Sequence, residues 1–301
     1  RELTSKLTVN HFASRAPQNE TLSPKNHVSA RFDPRRPVFE TTSTSGIWDL
    51  AWEASESLSL ENKLIYTDFD NHRRTVESLP WANIDGKEFQ TEPLVRFGVK
   101  GDTLRGLVGV RYFHASQDEF VNLFGGSKFK DKTETYSAFG ELTWAVTSEV
   151  DITAASRVER EHRQRKGGAT RKVDFDETWD VFLPKLDIAW KPLPQQTLGM
   201  KVSRGYNAGG AGMTFVAPLI NYTYDPEYVW SYELYSRHGI SDWNLELTSN
   251  LFYNDYKDMQ LPYYLNSNSS SMVIRNADKV ETYGAELGAI WKPTLDFELN
   301  S

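Results

Sequence analysis

The sequence has no cysteine among its 301 residues, which excludes disulfide bonds and thiolate metal sites. The absence suits a compartment in which free thiols would be oxidised. No apolar stretch approaches the ~20 residues that a membrane-spanning helix needs. The net charge of −7 argues against a nucleic-acid partner. The mean hydropathy of −0.56 does not exclude a β-barrel membrane protein. A strand that alternates apolar and polar residues has a low average hydropathy even when one of its faces contacts lipid.

Recognisable catalytic and metal-binding motifs are also lacking. The six histidines are scattered singly, without the HxxxH spacing of a zinc site. There is no GxSxG elbow and no P-loop, and the glycine-rich stretch 205–212 does not have GxGxxG spacing. We therefore expect no enzyme activity, no catalytic residues, no metal and no cofactor.

The main positive signal is alternation with a period of two, which places every second side chain on one face of a strand. Leu245, Leu247, Leu251 and Tyr253 alternate with polar residues, for example. The pattern predicts about thirteen strands, many of them longer than the ~5–6 residues usual in soluble sheets. The predicted spans are 3–12, 43–53, 57–71, 90–100, 103–117, 133–146, 149–163, 178–191, 196–206, 227–240, 243–257, 280–292 and 295–301.

The connections between these strands alternate between short and long, as in an outer-membrane barrel with short periplasmic turns and long extracellular loops. The predicted short turns are 54–56, 147–148, 191–195 and 292–294. The predicted long loops are 13–42, 72–89, 118–132, 164–177, 207–226 and 258–279. Both chain ends interrupt this pattern, so we expect residues 1–301 to be one partial barrel domain of a longer protein.

Four tryptophans, Trp52, Trp144, Trp190 and Trp291, each come just before a short turn and share parity with the apolar positions of their strands. An indole ring suits the membrane–water boundary, since it combines an apolar body with one N–H donor. The four residues predict an aromatic girdle at the short-turn end. The alternative interpretation is that they cap the core of a soluble sandwich.

The last third of the chain resembles the barrel of TonB-dependent outer-membrane receptors, of the siderophore-receptor type. The family's "PE…YE.G" signature is resembled by Asp225–Glu227 with Tyr232 and Glu233. Its "FY.DYKDQ" strand end is resembled by Phe252–Gln260. Similar agreement covers Phe182–Leu186, Ser203–Gly210 and Asn276–Leu287, in the family's order. The heme-receptor "FRAP…NPNL" pattern is not visible.

The resemblance implies an antiparallel transmembrane β-barrel of 22 strands, of which this chain would supply about thirteen without the plug domain. It implies a location in the outer membrane of a Gram-negative bacterium. The implied activity is uptake of a scarce nutrient, a ferric siderophore first, energised through TonB, which would contact the missing N-terminal region. Heme, cobalamin or glycan are alternative ligands, and a passive porin-like channel or a barrel adhesin is the alternative function. Outer-membrane lipid and lipopolysaccharide are the remaining expected partners.

Two sets of residues are candidates for ligand contact. Aromatic faces and arginine suit the phenolate or catecholate rings of an anionic chelate. The first set is Arg204, Tyr206, Tyr222, Tyr224, Tyr228, Trp230, Tyr263 and Tyr264. These tyrosines alternatively form the outer aromatic girdle or pack loops together, and Arg204 is alternatively a lumen charge paired with a carboxylate on a neighbouring strand. The second set is the charged run 157–172, which is either a solvated hairpin tip or a basic surface for an anionic ligand or lipopolysaccharide phosphates.

Overall fold

Strands make up most of the chain in the computed structural model, which describes residues 2–17, 37–75, 81–122, 126–169, 171–214, 216–268, 271–294 and 296–300. The strands are β1 (Glu2–Pro17), β2 (Val38–Ser55), β3 (Leu58–Arg74), β4 (Ala82–Phe97), β5 (Leu104–Val121), β6 (Ser127–Ala145), β7 (Val150–Gly167), β8 (Val173–Trp190), β9 (Gln196–Asn207), β10 (Gly210–Met213), β11 (Asn221–Tyr224), β12 (Glu227–Ile240), β13 (Leu245–Tyr264), β14 (Met272–Thr294) and β15 (Phe297–Asn300). A single turn of 3-10 helix, Ser241–Trp243, joins β12 to β13. No helix in the described part of the chain is long and apolar enough to cross a membrane.

Thirteen strands form one antiparallel sheet in the order β1 to β9, then β12 to β15. Every sequential pair is a hairpin, except that β10 and β11 form a separate two-stranded hairpin inside the connection from β9 to β12. The predicted all-β antiparallel class and the number of sheet strands are confirmed. The β10–β11 hairpin was not predicted.

The two faces of the sheet have opposite chemistry. Residues directly opposite each other on antiparallel strands share a face, and the register places the four predicted girdle tryptophans on the same one. We call this the outer face and the opposite one the inner face. Large exposed apolar residues concentrate on the outer face, among them Val108, Met200, Leu234 and Leu287. An apolar surface that faces outward is what a lipid environment requires.

Cross-strand charge pairs reinforce the inner face. Asp151 on β7 accepts from Arg105 on β5, at 3.0 Å, and from Lys191 beyond β8, at 2.6 Å. Lys201 on β9 lies 2.8 Å from Glu233 on β12. Such bonds link strands that are one or two positions apart, and they satisfy polar groups that the outer face excludes.

The strands extend further than predicted, and all six long loops are correspondingly shorter. β6 begins at Ser127 and β8 at Val173, well inside the predicted loops 118–132 and 164–177. These extensions are rich in charged residues, and their few apolar residues, Phe129, Val173 and Phe175, are buried on the inner face. An 18-residue strand is about 60 Å long, whereas a bilayer needs only ~9–11 residues. The middle of the predicted loop 13–42 lies outside the described residues.

The predicted turn at 292–294 is wrong. β14 continues to Thr294, with an irregularity in its pairing to β15 between Trp291 and Thr294. Lys292 and Pro293 interrupt the apolar alternation, which made an irregular strand end look like a turn.

Candidate functional site

The β10–β11 hairpin folds against the inner face at the end of the sheet that carries the long loops, here called the loop end. Ala211 and Met213 of the hairpin pack on Phe129, Val173 and Phe175, of which Phe129 is only 1% exposed. Phe129 belongs to β6, and the other two belong to β8. This apolar cluster therefore anchors the hairpin to the inner face of the sheet, here called the wall, and keeps it from extending into solvent.

Two tyrosines of β11 lie over glycines of β10. A β-carbon at Gly210 would come 2.3 Å from the Tyr224 hydroxyl oxygen, and one at Gly212 would come 2.5 Å from that of Tyr222. A β-carbon at Gly209 would come 2.5 Å from the backbone oxygen of Tyr224 and 3.1 Å from the Trp179 ring. The glycine-rich stretch is thus explained by close packing of aromatic rings on backbone. Burial raises the pKa of the Tyr222 phenol, which keeps it protonated and able to donate.

A cavity of about 440 Å³ lies between this hairpin and the wall. We call it the loop-end cavity. Its lining includes four aromatic rings, from Phe69, Phe113, Phe175 and Tyr224, and four cations. The cations are Arg163 and Arg165 of the inner face, with Lys87 and Lys132. A concave surface with rings and a few convergent polar groups is the usual form of a small-molecule site. The predicted site residues included Tyr224, while the three phenylalanines were missed because nothing in the sequence distinguishes them from other strand aromatics.

Arg165 is the most constrained charge beside the cavity. Its guanidinium donates to Glu119 and to Asp131, each at 2.6 Å, and lies 4.4 Å above the centre of the Phe129 ring. The side chain is 20% exposed. One cation held between two carboxylates and an aromatic face is rigid, so Arg165 contributes a fixed charge pattern and not a mobile positive arm.

The charged run 157–172 is divided between the two faces by strand parity. Arg163 and Arg165 lie on the inner face, where Arg163 donates to Glu161 at 2.5 Å and to the carbonyl of Gly209 at 3.5 Å. Arg160 and Lys166 lie on the outer face, paired with Asp180 at 2.8 Å and Asp176 at 3.0 Å. Both interpretations of the run therefore describe part of it, since half borders the loop-end cavity and half is a solvated outer surface.

Four of the predicted ligand residues lie at the upper ends of β9 and β12, with Arg204, Tyr228 and Trp230 on the outer face. The hydroxyl of the fourth, Tyr206, is buried within electrostatic range of the inner-face residues Glu161 and Arg163. Arg204 pairs with Trp230, and Tyr206 pairs with Tyr228. The Arg204 guanidinium lies 4.6 Å above the Tyr228 ring and donates to the Phe182 carbonyl at 3.2 Å. This placement favours the aromatic-girdle interpretation for Tyr228 and Trp230, and the contact of all four residues with a ligand stays a prediction.

The other four predicted ligand residues are divided between two places. The Tyr222 and Tyr224 rings lie 6.5 Å apart on the hairpin. Tyr263 and Tyr264 end β13, with the Arg275 guanidinium 4.2 Å from the Tyr263 ring. The structure therefore brings Tyr224 to the loop-end cavity and leaves Tyr263 and Tyr264 exposed.

The predicted girdle tryptophans share one face and one end of the sheet. Trp52, Trp144, Trp190 and Trp291 are between 41 and 50% exposed. The indole N–H of Trp291 donates to the Trp243 carbonyl at 3.1 Å, which directs the polar edge toward the turn. The geometry supports the girdle, whose contact with the membrane boundary stays a prediction.

One group of metal-type ligands exists among the described residues, on the upper outer face of β3 and β4. It consists of Asp70, His72 and Asp85. His72 Nδ1 lies 2.8 Å from the Asn83 side-chain oxygen, and Nε2 lies 3.0 Å from Asp70. The hydrogen bond to Asn83, with that to Asp70, raises the pKa of His72. An imidazolium beside two carboxylates accounts for this group without a metal ion.

Comparison with known proteins agrees with this geometry. The family model described as "TonB dependent receptor-like, beta-barrel" matches residues 3–301. The chain belongs to the TonB-dependent receptor family. This family consists of outer-membrane receptors of Gram-negative bacteria that are transporters and not enzymes, and the present receptor barrel shares their location.

The similar proteins are named as receptors or transporters. The pesticin receptors of Yersinia enterocolitica and Yersinia pestis are each 26% identical over 174 residues, which is 56% of this chain and 25% of theirs. The ferric yersiniabactin uptake receptor FyuA of Yersinia pestis superposes with a TM-score of 0.76 at 18% identity, covering 97% of this chain and 47% of that one. The ferric citrate transporter FecA gives 0.73 at 14% identity, covering 96% and 45%.

These likenesses have a defined extent. The receptor barrel spans a quarter of the length of the pesticin receptors and about half that of the two solved transporters. The structural likeness, at under a fifth identity, concerns the fold. The match favours a transport receptor over a porin-like channel or an adhesin.

Proposed function

We propose that this chain is the greater part of the barrel of a receptor that binds and imports a ferric siderophore, with energy supplied through TonB. The observation that carries the proposal is the loop-end cavity, which combines aromatic rings with fixed charges inside a barrel of this receptor family. The similarity to the ferric yersiniabactin uptake receptor and to the ferric citrate transporter supports a chelated metal as cargo.

The charges beside the loop-end cavity suggest which chelates fit. Arg163 and Arg165 supply two positive charges on the inner face, and four carboxylates surround them. The carboxylates are Glu88, Glu119, Asp131 and Glu161. A triply anionic chelate would find both arginines already paired with carboxylates, whereas an aromatic chelate with little or no net charge would keep the ring contacts. We therefore expect a phenolate-type chelate with low net charge.

The experiment measures binding of ferric chelates to the full-length receptor by tryptophan fluorescence. The probes are a ferric phenolate chelate without net charge and a triply anionic ferric tricatecholate. We expect the first to bind at least tenfold more tightly, about 1.4 kcal/mol. Phe175→Ala and Tyr224→Ala should each weaken its binding, and Tyr66→Ala, an aromatic change on the outer face, is the matched control. Equal binding of both probes would contradict the charge argument.

Energisation is tested separately in cells. Uptake of the iron-labelled chelate should require the full-length receptor and an intact TonB, while binding to the cell surface should not. Uptake that continues without TonB would contradict the proposed transport mechanism and would favour passive passage.

We also propose contact with outer-membrane lipid and with lipopolysaccharide. Lys128, Lys130 and Lys132 follow one another on the outer face of β6, beyond the Tyr136 level. Lys130 has a distant partner, Asp118 at 3.7 Å, and both side chains are largely exposed. Exposed cations at this height suit the phosphates of lipopolysaccharide.

A further inference from the structure

An apolar groove of about 340 Å³ crosses four strands on the outer face. It is formed by two successive cross-strand rows of side chains, running from β8 through β9 and β12 to β13. The lower row is Ile188, Met200, Leu234 and Leu251, and the upper row is Leu186, Val202, Tyr232 and Tyr253. Met200, Leu234 and Leu251 are each more than half exposed, so the protein itself does not cover the groove.

The position of the groove determines the kind of molecule that fills it. It lies between the girdle tryptophan Trp190 at the turn end and the row of Tyr232 and Tyr253 toward the loop end. This band of a receptor barrel faces hydrocarbon. The occupant is therefore an acyl chain of a membrane lipid, and the upper row belongs to the half of the membrane nearer the loops.

Two cations stand directly above this groove on the same face. Arg204, two residues beyond Val202, lies over the ring of Tyr228, and Lys257 is the cross-strand partner of that same tyrosine. Neither cation has a carboxylate within ion-pair distance among the residues that the structure describes. Asp255 lies two residues before Lys257 on the same face, opposite Trp230, and forms an ion pair with neither cation. Two cations on either side of one aromatic ring, neither of them held in an ion pair, form a binding position for a phosphate group.

We propose that this surface holds one molecule of the phosphorylated glycolipid of the outer leaflet, with an acyl chain in the groove and a sugar phosphate between Arg204 and Lys257. The leaflet on the loop side of a Gram-negative outer membrane is built of lipid A, whose phosphates carry the required charge. The inference rests on the proposed contact with lipopolysaccharide and is independent of the siderophore. In this contact, Arg204 and Lys257 bind the phosphate, and the groove binds the acyl chain.

The test uses the full-length receptor, stripped of lipid in mild detergent and titrated with purified lipid A in native mass spectrometry. Arg204→Gln together with Lys257→Gln should weaken the first lipid A binding event at least tenfold. Met200→Trp, which fills the groove without changing any charge, should weaken it as well. Lys100→Gln, which removes a cation from the turn between β4 and β5 at the opposite end, is the matched control and should bind as the unmodified receptor does.

A parallel titration with phosphatidylglycerol separates the two anionic lipids. The proposal is supported if the cation variants lose lipid A binding and phosphatidylglycerol binds weakly to every form. It is overturned if the variants retain lipid A, or if only phosphatidylglycerol binding falls. Heat-modifiable gel mobility confirms that each variant is folded. Failure of the unmodified receptor to bind a ferric chelate would contradict the proposed function and leave this result intact.

Discussion

Tyr224 of β11 lies with its ring on Gly210 of β10, so close that a β-carbon at Gly210 would come 2.3 Å from the phenolic oxygen. Neither residue by itself predicts this contact from the sequence. Together they hold the hairpin closed against the wall. The hairpin in turn forms one side of the loop-end cavity.

Gly210→Val should displace Tyr224 and open the hairpin. Forcing extra carbons into a packed contact costs about 1–3 kcal/mol, and we expect that cost to appear locally. Limited proteolysis should cut the full-length variant near residues 208–226 faster than the unmodified receptor. Gly46→Val is the control, because nothing lies within 4 Å of an added β-carbon there. Equal cleavage of both variants would show that the contact is not needed.

Arg165→Met should destabilise the loop end of the barrel. The substitution leaves Glu119 and Asp131 facing each other without their shared cation, and removing one partner from a largely buried charge group costs about 2–4 kcal/mol. Thermal unfolding of the full-length receptor in detergent measures the loss. The control is Arg160→Met on the outer face of the same strand, whose pair with Asp180 is about two-thirds exposed and should matter little. A variant Arg165→Met as stable as Arg160→Met would contradict the argument.

Asp176 should contribute stability that disappears in acid. Its hydrogen bond from His162, followed by that from Lys166, lowers the pKa of Asp176 to about 2. Because the folded pKa is below the unfolded value of ~3.9, the contribution is complete above pH ~4 and is lost as the pH falls to about 2. Melting temperatures of the unmodified receptor and Asp176→Asn should differ at pH 5 and converge near pH 2. A difference that persists at pH 2 would have another origin.

Leu287→Arg should be poorly tolerated, and Glu286→Arg should be tolerated. Leu287 is 82% exposed on the outer face and Glu286 faces inward, one residue earlier on β14. An arginine that faces lipid near the middle of the membrane costs about 2–4 kcal/mol. Reversible folding into phospholipid vesicles measures the difference. Equal stabilities would indicate that the outer face does not contact lipid.

Local pattern was enough to predict the part of each strand that crosses the membrane. The two faces of these strands contact different environments, lipid on the outer face and a polar interior on the inner face. This difference produces the alternation around Leu247 and Leu251 and the shared parity of Trp144 and Trp190. Above the outer tyrosines the outer face meets water and Lys128–Lys132 are mostly charged, so the sequence predicts a loop where the first third of β6 lies. The buried position of Phe129 depends on the β10–β11 hairpin, which no local pattern indicates.

The loop-end cavity was beyond prediction for a different reason. It depends on Ala211 meeting Phe129, residues that are far apart in the chain and ordinary in composition. The charged run was noticed, but only the pairing register shows that Arg163 and Arg160 belong to different surfaces. Long-range packing of this kind leaves no periodic trace in the sequence.

The division of β7 between two surfaces has a consequence for how such a barrel can change in evolution. Inserting or deleting one residue between Val158 and Arg163 would exchange the two sides of the strand beyond that point. Arg163 and Arg165 would then point outward, and the ion pairs of His162 and Lys166 would turn toward the cavity. Length changes within such strands are therefore restricted to steps of two, whereas the connections, such as residues 168–172, can gain or lose any number. Variation among relatives in this segment should follow that rule of even numbers.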